Sequence, residues 1–281
     1  GMMTLVNQAR QRDMLTTLSD HLIRANHASG GSAGNSMIAT AMMGAPTYMS
    51  CKVAQDADGD IYLADLEQSG VAHGLTERST DGVTGKCIVL ITPDAERSLN
   101  THLGISETLS TDEVDEAAIK GSEWVYLEGY LVTSPSGHAA ALKTKALAEA
   151  HGVKTAVSFS DPGMVKFFRD NMAAMVEGGV ELVFCNDSEA LEWGQCDDLD
   201  TAIEAIKSVA RRFVITLGAD GAVTWDGKTL HRVAAKPVEA VNTNGAGDMF
   251  AGAFLYALSR GESDLRATEY ATLVAGEVVK Y

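Results

Sequence analysis

The chain has 281 residues, 46% of them hydrophobic, enough to bury one full α/β core. Lys plus Arg is 22 and Asp plus Glu is 38, a formal net charge of −16. So acidic a surface repels phosphate backbones and anionic lipid heads, which excludes nucleic acid and membrane surfaces as main partners; a local basic pocket can still bind ATP.

Residues 6–18 read as an amphipathic helix. The glycine-rich turn Ala28–Asn35 opens a small-residue helix that runs to about Met43. Tyr48–Val53 reads as a short strand and Gly59–Gln68 as a helix. Lys86–Thr92 and Arg97–Leu103 read as strands around the turn Pro93-Asp94-Ala95-Glu96, a hairpin signal that suggests strands projecting from the main sheet. From residue 111 the rhythm is regular. Helix 112–120 leads to strand 124–128, helix 136–150 to strand 154–159, and helix 162–177 to strand 181–185. Helices 187–193 and 198–209 lead to strand 212–217, then come strands 221–225 and 229–233 and helices 247–259 and 264–280. Short apolar strands separated by crossover-length helices predict a parallel sheet covered on both faces.

The four cysteines, Cys51, Cys87, Cys185 and Cys196, form no C-x-x-C pair, and Cys87 and Cys185 sit in strand-like runs. They read as reduced, buried thiols of a cytoplasmic protein. No apolar run reaches membrane-spanning length, and the first residues show no signal peptide. A P-loop and the dinucleotide G-x-G-x-x-G are missing, and the lack of the second ranks a dehydrogenase far behind.

The strongest chemical signal is Asn242-Thr243-Asn244-Gly245-Ala246-Gly247-Asp248 before an apolar helix. Small residues let the backbone approach a ligand, and a helix start offers unpaired N–H groups, together an anion hole suited to a phosphoryl group. Asp248 lies beside it, within reach of an attacking hydroxyl's proton. The plain alternative is a turn with a capping Asp.

This segment resembles the signature D-T-x-G-A-G-D of the PfkB, or ribokinase-like, carbohydrate and nucleoside kinases. Gly30-Gly31-Ser32-Ala33-Gly34-Asn35 resembles their G-G-x-x-x-N, Asn186-Asp187-Ser188-Glu189 their N-x-x-E, and Thr216-Leu217-Gly218-Ala219-Asp220-Gly221 their T-x-G-x-x-G. All four occur in the family's order. The resemblance implies a ribokinase-like three-layer α/β/α sandwich with a mostly parallel sheet and a small β lid. It implies one kinase domain over 1–281, the lid coming mainly from about 71–103. Asp248 is then the base, and Gly245, Ala246 and Gly247 hold the phosphoryl group. Gly30, Gly31 and Asn35 take substrate hydroxyls. Thr216, Gly218, Gly221 and Asn186 lie on the ATP side, and Glu189 holds Mg²⁺ through water. ATP is the co-substrate, K⁺ an optional activator, and the assembly a monomer or homodimer.

Three plain alternatives stand beside this reading. Asn186 and Glu189 also spell a helix capping box, Asp161-Pro162 a helix start, and Arg97 a solvated strand charge rather than a lid residue reaching the phosphates. Two departures matter. Nothing before Gly30 matches the family's first strand with its substrate-binding Asp, so the chain reads as starting after that strand and stopping at Tyr281 inside a continuing segment. Asn242 replaces the first Asp of the signature. Both leave open a catalytically impaired pseudokinase that still binds nucleoside or nucleotide. The segments Tyr126–Leu131, Ser158–Pro162 and Thr84–Leu99 resemble bacterial adenosine kinase-like members most, so a nucleoside is the first substrate expectation and a sugar the next.

Overall fold

The computed structural model describes residues 3–21, 28–91 and 97–280. Strand β1 (Met3–Leu5) precedes helix α1 (Gln8–Thr17), which Asn7 caps by accepting the N–H of Arg10. Helix α2 (Ser32–Met42) begins directly after Gly31, whose φ of +86° only glycine adopts without strain. Strand β2 (Thr47–Met49) is followed by helix α3 (Ala57–Gln68) and strand β3 (Val71–His73), and β2 and β3 pair in parallel. Strands β4 (Lys86–Ile91) and β5 (Arg97–His102) form the antiparallel hairpin, and β1 adds to β5 in parallel. The side chain of Gln11 is buried and donates to the carbonyls of Lys86 and Asn100, which fastens α1 to this small sheet.

Three expectations change here. The lid sheet starts at Lys86, because Val71–His73 pairs with Thr47–Met49 instead. The strand expected over Tyr48–Val53 ends at Met49. Beyond it the N–H of Ala54 goes to the Thr84 hydroxyl and that of Gln55 to the Ser79 carbonyl, so the chain is apolar there but not laddered. Cys87 is exposed, not buried, while Cys51 and Cys185 are buried; all four thiols are free. The expected turn at Pro93–Glu96 lies outside the described residues, and so does the side chain of Arg97.

The rest builds the main layers. Helix α4 (Glu116–Lys120) is shorter than expected because Ser110 and Glu113 close a separate 3-10 turn before Asp115 caps it. Next come β6 (Trp124–Glu128), α5 (Pro135–Ala150) and β7 (Lys154–Ser158). The helix expected over 162–177 breaks at Phe168 (φ −122°, ψ 35°) into α6 (Pro162–Phe167) and α7 (Arg169–Val176). Then follow β8 (Val180–Asn186), α8 (Asp187–Gly194), α9 (Leu199–Lys207) and β9 (Ala210–Thr216). Strands β10 (Ala222–Trp225) and β11 (Leu230–Val233) precede α10 (Ala246–Ser259) and α11 (Asp264–Val278).

Among the described residues the main sheet has the order β11-β10-β9-β8-β7-β6, parallel from β6 to β9, with β10 and β11 antiparallel. One face carries Val157, Val183, Phe213 and Ile215 against α5 to α9. The other carries Ala156, Leu182, Phe184 and Val214 against Phe250, Phe254 and Ala271 of α10 and α11. This is the three-layer sandwich expected from the sequence. Strands covered on both faces must be apolar throughout, which is why their sequences are near-continuous apolar runs. Helix α2 packs tightly on α10. The Thr40 hydroxyl bonds the carbonyl of Gly252, and a Cβ on Gly252 would lie 2.6 Å from the Ser36 carbonyl oxygen.

Candidate active site

The carboxyl ends of the parallel strands open onto one cleft, where ligands bind in open α/β sheets. Glu128 ends β6, Ser158 ends β7, Asn186 ends β8 and Thr216 ends β9. Register pairs Glu128 with Ser158 and Asn186 with Thr216.

Asp248 reaches this cleft from the first turn of α10. Gly245 caps that helix in the left-handed conformation (φ +74°). Two residues of α2 grip the carboxylate: Ser32 Oγ donates to Oδ1 at 2.7 Å and Asn35 Nδ2 donates to Oδ2 at 2.8 Å. Burial raises the carboxyl above the ordinary aspartate range, and the bonds from Ser32 and Asn35 pull it back. The carboxylate so held keeps lone pairs free for a further donor. Asn35 and Asp248 were both expected site residues, and the structure joins them. Ser32 was missed as an individual contact; its signal is its place three residues before Asn35, on the same helix face.

A Cβ at Gly30, Gly31, Gly218 or Gly247 would meet nothing within 4 Å. The backbone at these points therefore borders open space, as a ligand cradle requires. Gly221 differs. Its φ is +94°, and a Cβ there would lie 2.0 Å from the Val233 carbonyl oxygen, so packing alone demands glycine at that position.

Asn186 and Glu189 form both halves of a capping box. Asn186 Oδ1 accepts the Glu189 N–H at 2.8 Å, and Glu189 Oε2 accepts the Asn186 N–H at 3.0 Å. Glu189 is buried, with its carboxyl pushed up to about 8 by burial first and then by the charges of Asp161, Glu128 and Asp187. The Glu189 oxygens are hard donors of the kind a divalent cation such as Mg²⁺ takes. Asp161 acts as a helix start: its side chain accepts the Gly163 N–H at 2.7 Å. Asn242 Oδ1 accepts the Asn244 N–H at 3.0 Å, which shapes the turn leading to Gly245.

A second carboxylate, Glu128, was not singled out in the sequence. It is buried, and its Oε1 accepts the Tyr126 hydroxyl at 2.8 Å. Burial pushes it up to about 7, and the charge of Asp248 adds to the shift while Ser160, Tyr126 and Ser158 oppose it. Its signal was a Glu ending an apolar strand at the end where sheets bind ligands.

Among the described residues no helix is long and apolar enough to cross a membrane. Residues 3–281 match the pfkB family of carbohydrate kinases. The adenosine kinase of Sinorhizobium meliloti superposes with a TM-score of 0.92 at 33% identity, covering 99% of this chain and 85% of that one. A probable sugar kinase from Rhizobium etli does so with a TM-score of 0.92 at 32% identity, covering 99% and 84%. The adenosine kinase of Saccharomyces cerevisiae is 28% identical over 276 residues, 90% of this chain and 79% of that protein.

Proposed function

The chain belongs to the pfkB family of carbohydrate kinases, and we propose that it transfers the γ-phosphoryl group of ATP to the primary hydroxyl of an adenosine-like nucleoside. One observation carries the reading. Asp248, the expected base, is held by Asn35, the expected substrate residue, across a sequence separation of 213. A substrate hydroxyl bound against Gly30, Gly31 and Asn35 lies beside a carboxylate that can take its proton. The likeness to adenosine kinases supports a nucleoside; the equal likeness to a sugar kinase makes sugars the comparison in any test.

The chemistry divides among this chain's own groups. Asp248 accepts the proton of the attacking hydroxyl as its oxygen bonds to the γ-phosphorus and the bond from that phosphorus to the β–γ bridging oxygen breaks, releasing ADP. The turn Gly245-Ala246-Gly247 and the start of α10 offer N–H groups to the phosphoryl oxygens as charge develops there. Thr216 and Gly218 border the ATP side with Asn186, and Gly221 shapes that turn. Glu189 and Asn186 would hold Mg²⁺, which supplies neutralisation of phosphate charge when bound. The transition state is loose, so most of the rate comes from positioning. The domain is a single unit whose β lid shields the cleft, monomeric or homodimeric, with a monovalent cation as an optional activator and the cytoplasm as its location.

The test is ADP release with Mg²⁺-ATP across nucleosides and sugars. Turnover fastest with adenosine or a close analogue supports the reading. Turnover only with sugars overturns the nucleoside assignment. No turnover with any of them, while nucleosides still bind by calorimetry, overturns the reaction itself.

Asn242 carries a separate prediction. An amide stands where the family signature has a carboxylate, one negative charge fewer near the metal and triphosphate. Asn242→Asp is expected to raise turnover at limiting Mg²⁺ and little at saturation, because the added negative charge attracts the cation. An unchanged Mg²⁺ titration of kcat would reject it.

A further inference from the structure

Ser160 stands out in the backbone. Its φ is +67°, and among the described residues only Gln195, at the end of α8, shares a positive φ without being glycine. Left-handed backbone costs a non-glycine residue on the order of 1 kcal/mol, and such outliers persist only where surrounding contacts over-determine them. Here the contacts are visible. The Ser160 N–H donates to Ser158 Oγ at 3.1 Å, and the Tyr130 hydroxyl donates to the Ser160 carbonyl at 3.2 Å. The result aims the side chain. Ser160 Oγ accepts the Gly129 N–H at 2.8 Å and donates to Glu128 Oε2 at 2.5 Å.

We infer that Ser160 is a positioning residue that holds Glu128 in the cleft and sets the pH at which Glu128 becomes an ionised acceptor for a second hydroxyl of the substrate. The hydroxyl is suited to this because it can donate and accept. Towards ionised Glu128 it donates, as the structure shows. Towards protonated Glu128 it can accept, turning its own proton to Ser158, whose Oγ lies 3.4 Å away. The carboxyl is thus satisfied in both states, as a buried group requires. The ionised state is the stronger acceptor for a ligand hydroxyl, because a charge-assisted hydrogen bond is roughly twice as strong as a neutral one.

The groups acting on Glu128 are known from each neighbouring element. Tyr126 shares its strand, Asp248 faces it from α10, Tyr130 from the following turn and Glu189 from α8. The carboxylates among them disfavour a second negative charge, and Ser160, Tyr126 and Ser158 favour it. Asp248 keeps its own donors, Ser32 and Asn35, which Ser160 does not touch. Removing the Ser160 hydroxyl therefore moves Glu128 ionisation upward in pH. The expected move is about one pH unit, the size of one hydrogen bond to a charged acceptor.

Two measurements test this. The first needs no substrate: infrared titration of the carboxyl band of the unliganded protein, assigned by its loss in Glu128→Gln. The midpoint is expected to rise by about one pH unit in both Ser160→Gly and Ser160→Ala. Glycine relieves the left-handed strain and alanine does not, so a purely structural Ser160 would give Ser160→Gly the parent midpoint and change only the stability of Ser160→Ala. An unmoved midpoint overturns the inference. The second measurement rests on the kinase reading: with a substrate that turns over, the acid limb of kcat/KM is expected to shift by the same amount, with kcat changed less than KM. A limb that stays in place overturns the substrate-acceptor role even if the infrared midpoint moves, whereas loss of all turnover in the parent protein would count against the kinase reading and leave the infrared result standing.

Discussion

Asp248→Asn is expected to lower kcat by about 10²- to 10⁴-fold, the usual range for removing a general base. The amide keeps one oxygen for a hydrogen bond but cannot take the proton of the attacking hydroxyl. Asn35 Nδ2 and Ser32 Oγ would then face a mixed donor and acceptor in place of two acceptor oxygens. The fold is expected to survive, because the carboxylate lies at the start of α10 and not in the apolar cluster of Phe184, Phe250 and Phe254. Calorimetry separates the effects. Binding of ATP and nucleoside should stay within several-fold while turnover collapses. Turnover within threefold of the parent would remove Asp248 from the reaction.

The second large effect is expected far from the reacting atoms. Gly252 sits in a tight contact between α10 and α2: a Cβ would lie 2.6 Å from the Ser36 carbonyl oxygen, 3.0 Å from Ala39 Cβ and 3.2 Å from Thr40 Oγ1. Gly252→Val must push the helices apart. Over-packing a tight core contact costs about 1–3 kcal/mol, which for a chain of this size lowers Tm by roughly 2–4 °C per kcal/mol. The larger consequence is catalytic. Ser32 and Asn35 ride on α2 and Asp248 on α10, so the shift loosens the grip on the base. A displacement near 1 Å costs on the order of 10²-fold in rate. Thermal unfolding and kcat measured well below Tm check both parts; an unchanged Tm with unchanged kcat would show that the helices yield freely.

Much of this architecture was legible in the sequence, and the reason is physical. Strands β6 to β9 are covered on both faces, so each is a short apolar run bounded by turns. Helix α10 announced itself through Gly245 and the apolar stretch after Asp248. What the sequence hid was non-local or unpunctuated. Met3–Leu5 becomes a strand only by pairing with Leu99–Thr101. The break at Phe168 has no glycine or proline to mark it. Cys51, Val53 and Ala54 are buried like strand residues, yet Thr84 and Ser79 take the neighbouring backbone groups. In the site, Asp248, Asn35, Asn186 and Glu189 were visible as motif positions. Glu128 and Ser160 were not: a serine in left-handed backbone follows no local preference, and its purpose shows only once Glu128 is beside it.

The grip of Ser32 and Asn35 on Asp248 also bears on how the protein becomes active. The partners lie 216 and 213 residues apart in sequence. Contacts between such distant segments form late, because the entropy of closing so long a loop is met only after the intervening chain has condensed. Secondary structure and most of the sheet can therefore be in place while the base is still ungripped. A chain released only to residue 200 carries Ser32 and Asn35 but not β9 to β11, α10 or α11, so the carboxylate they grip arrives last, when α10 closes on α2.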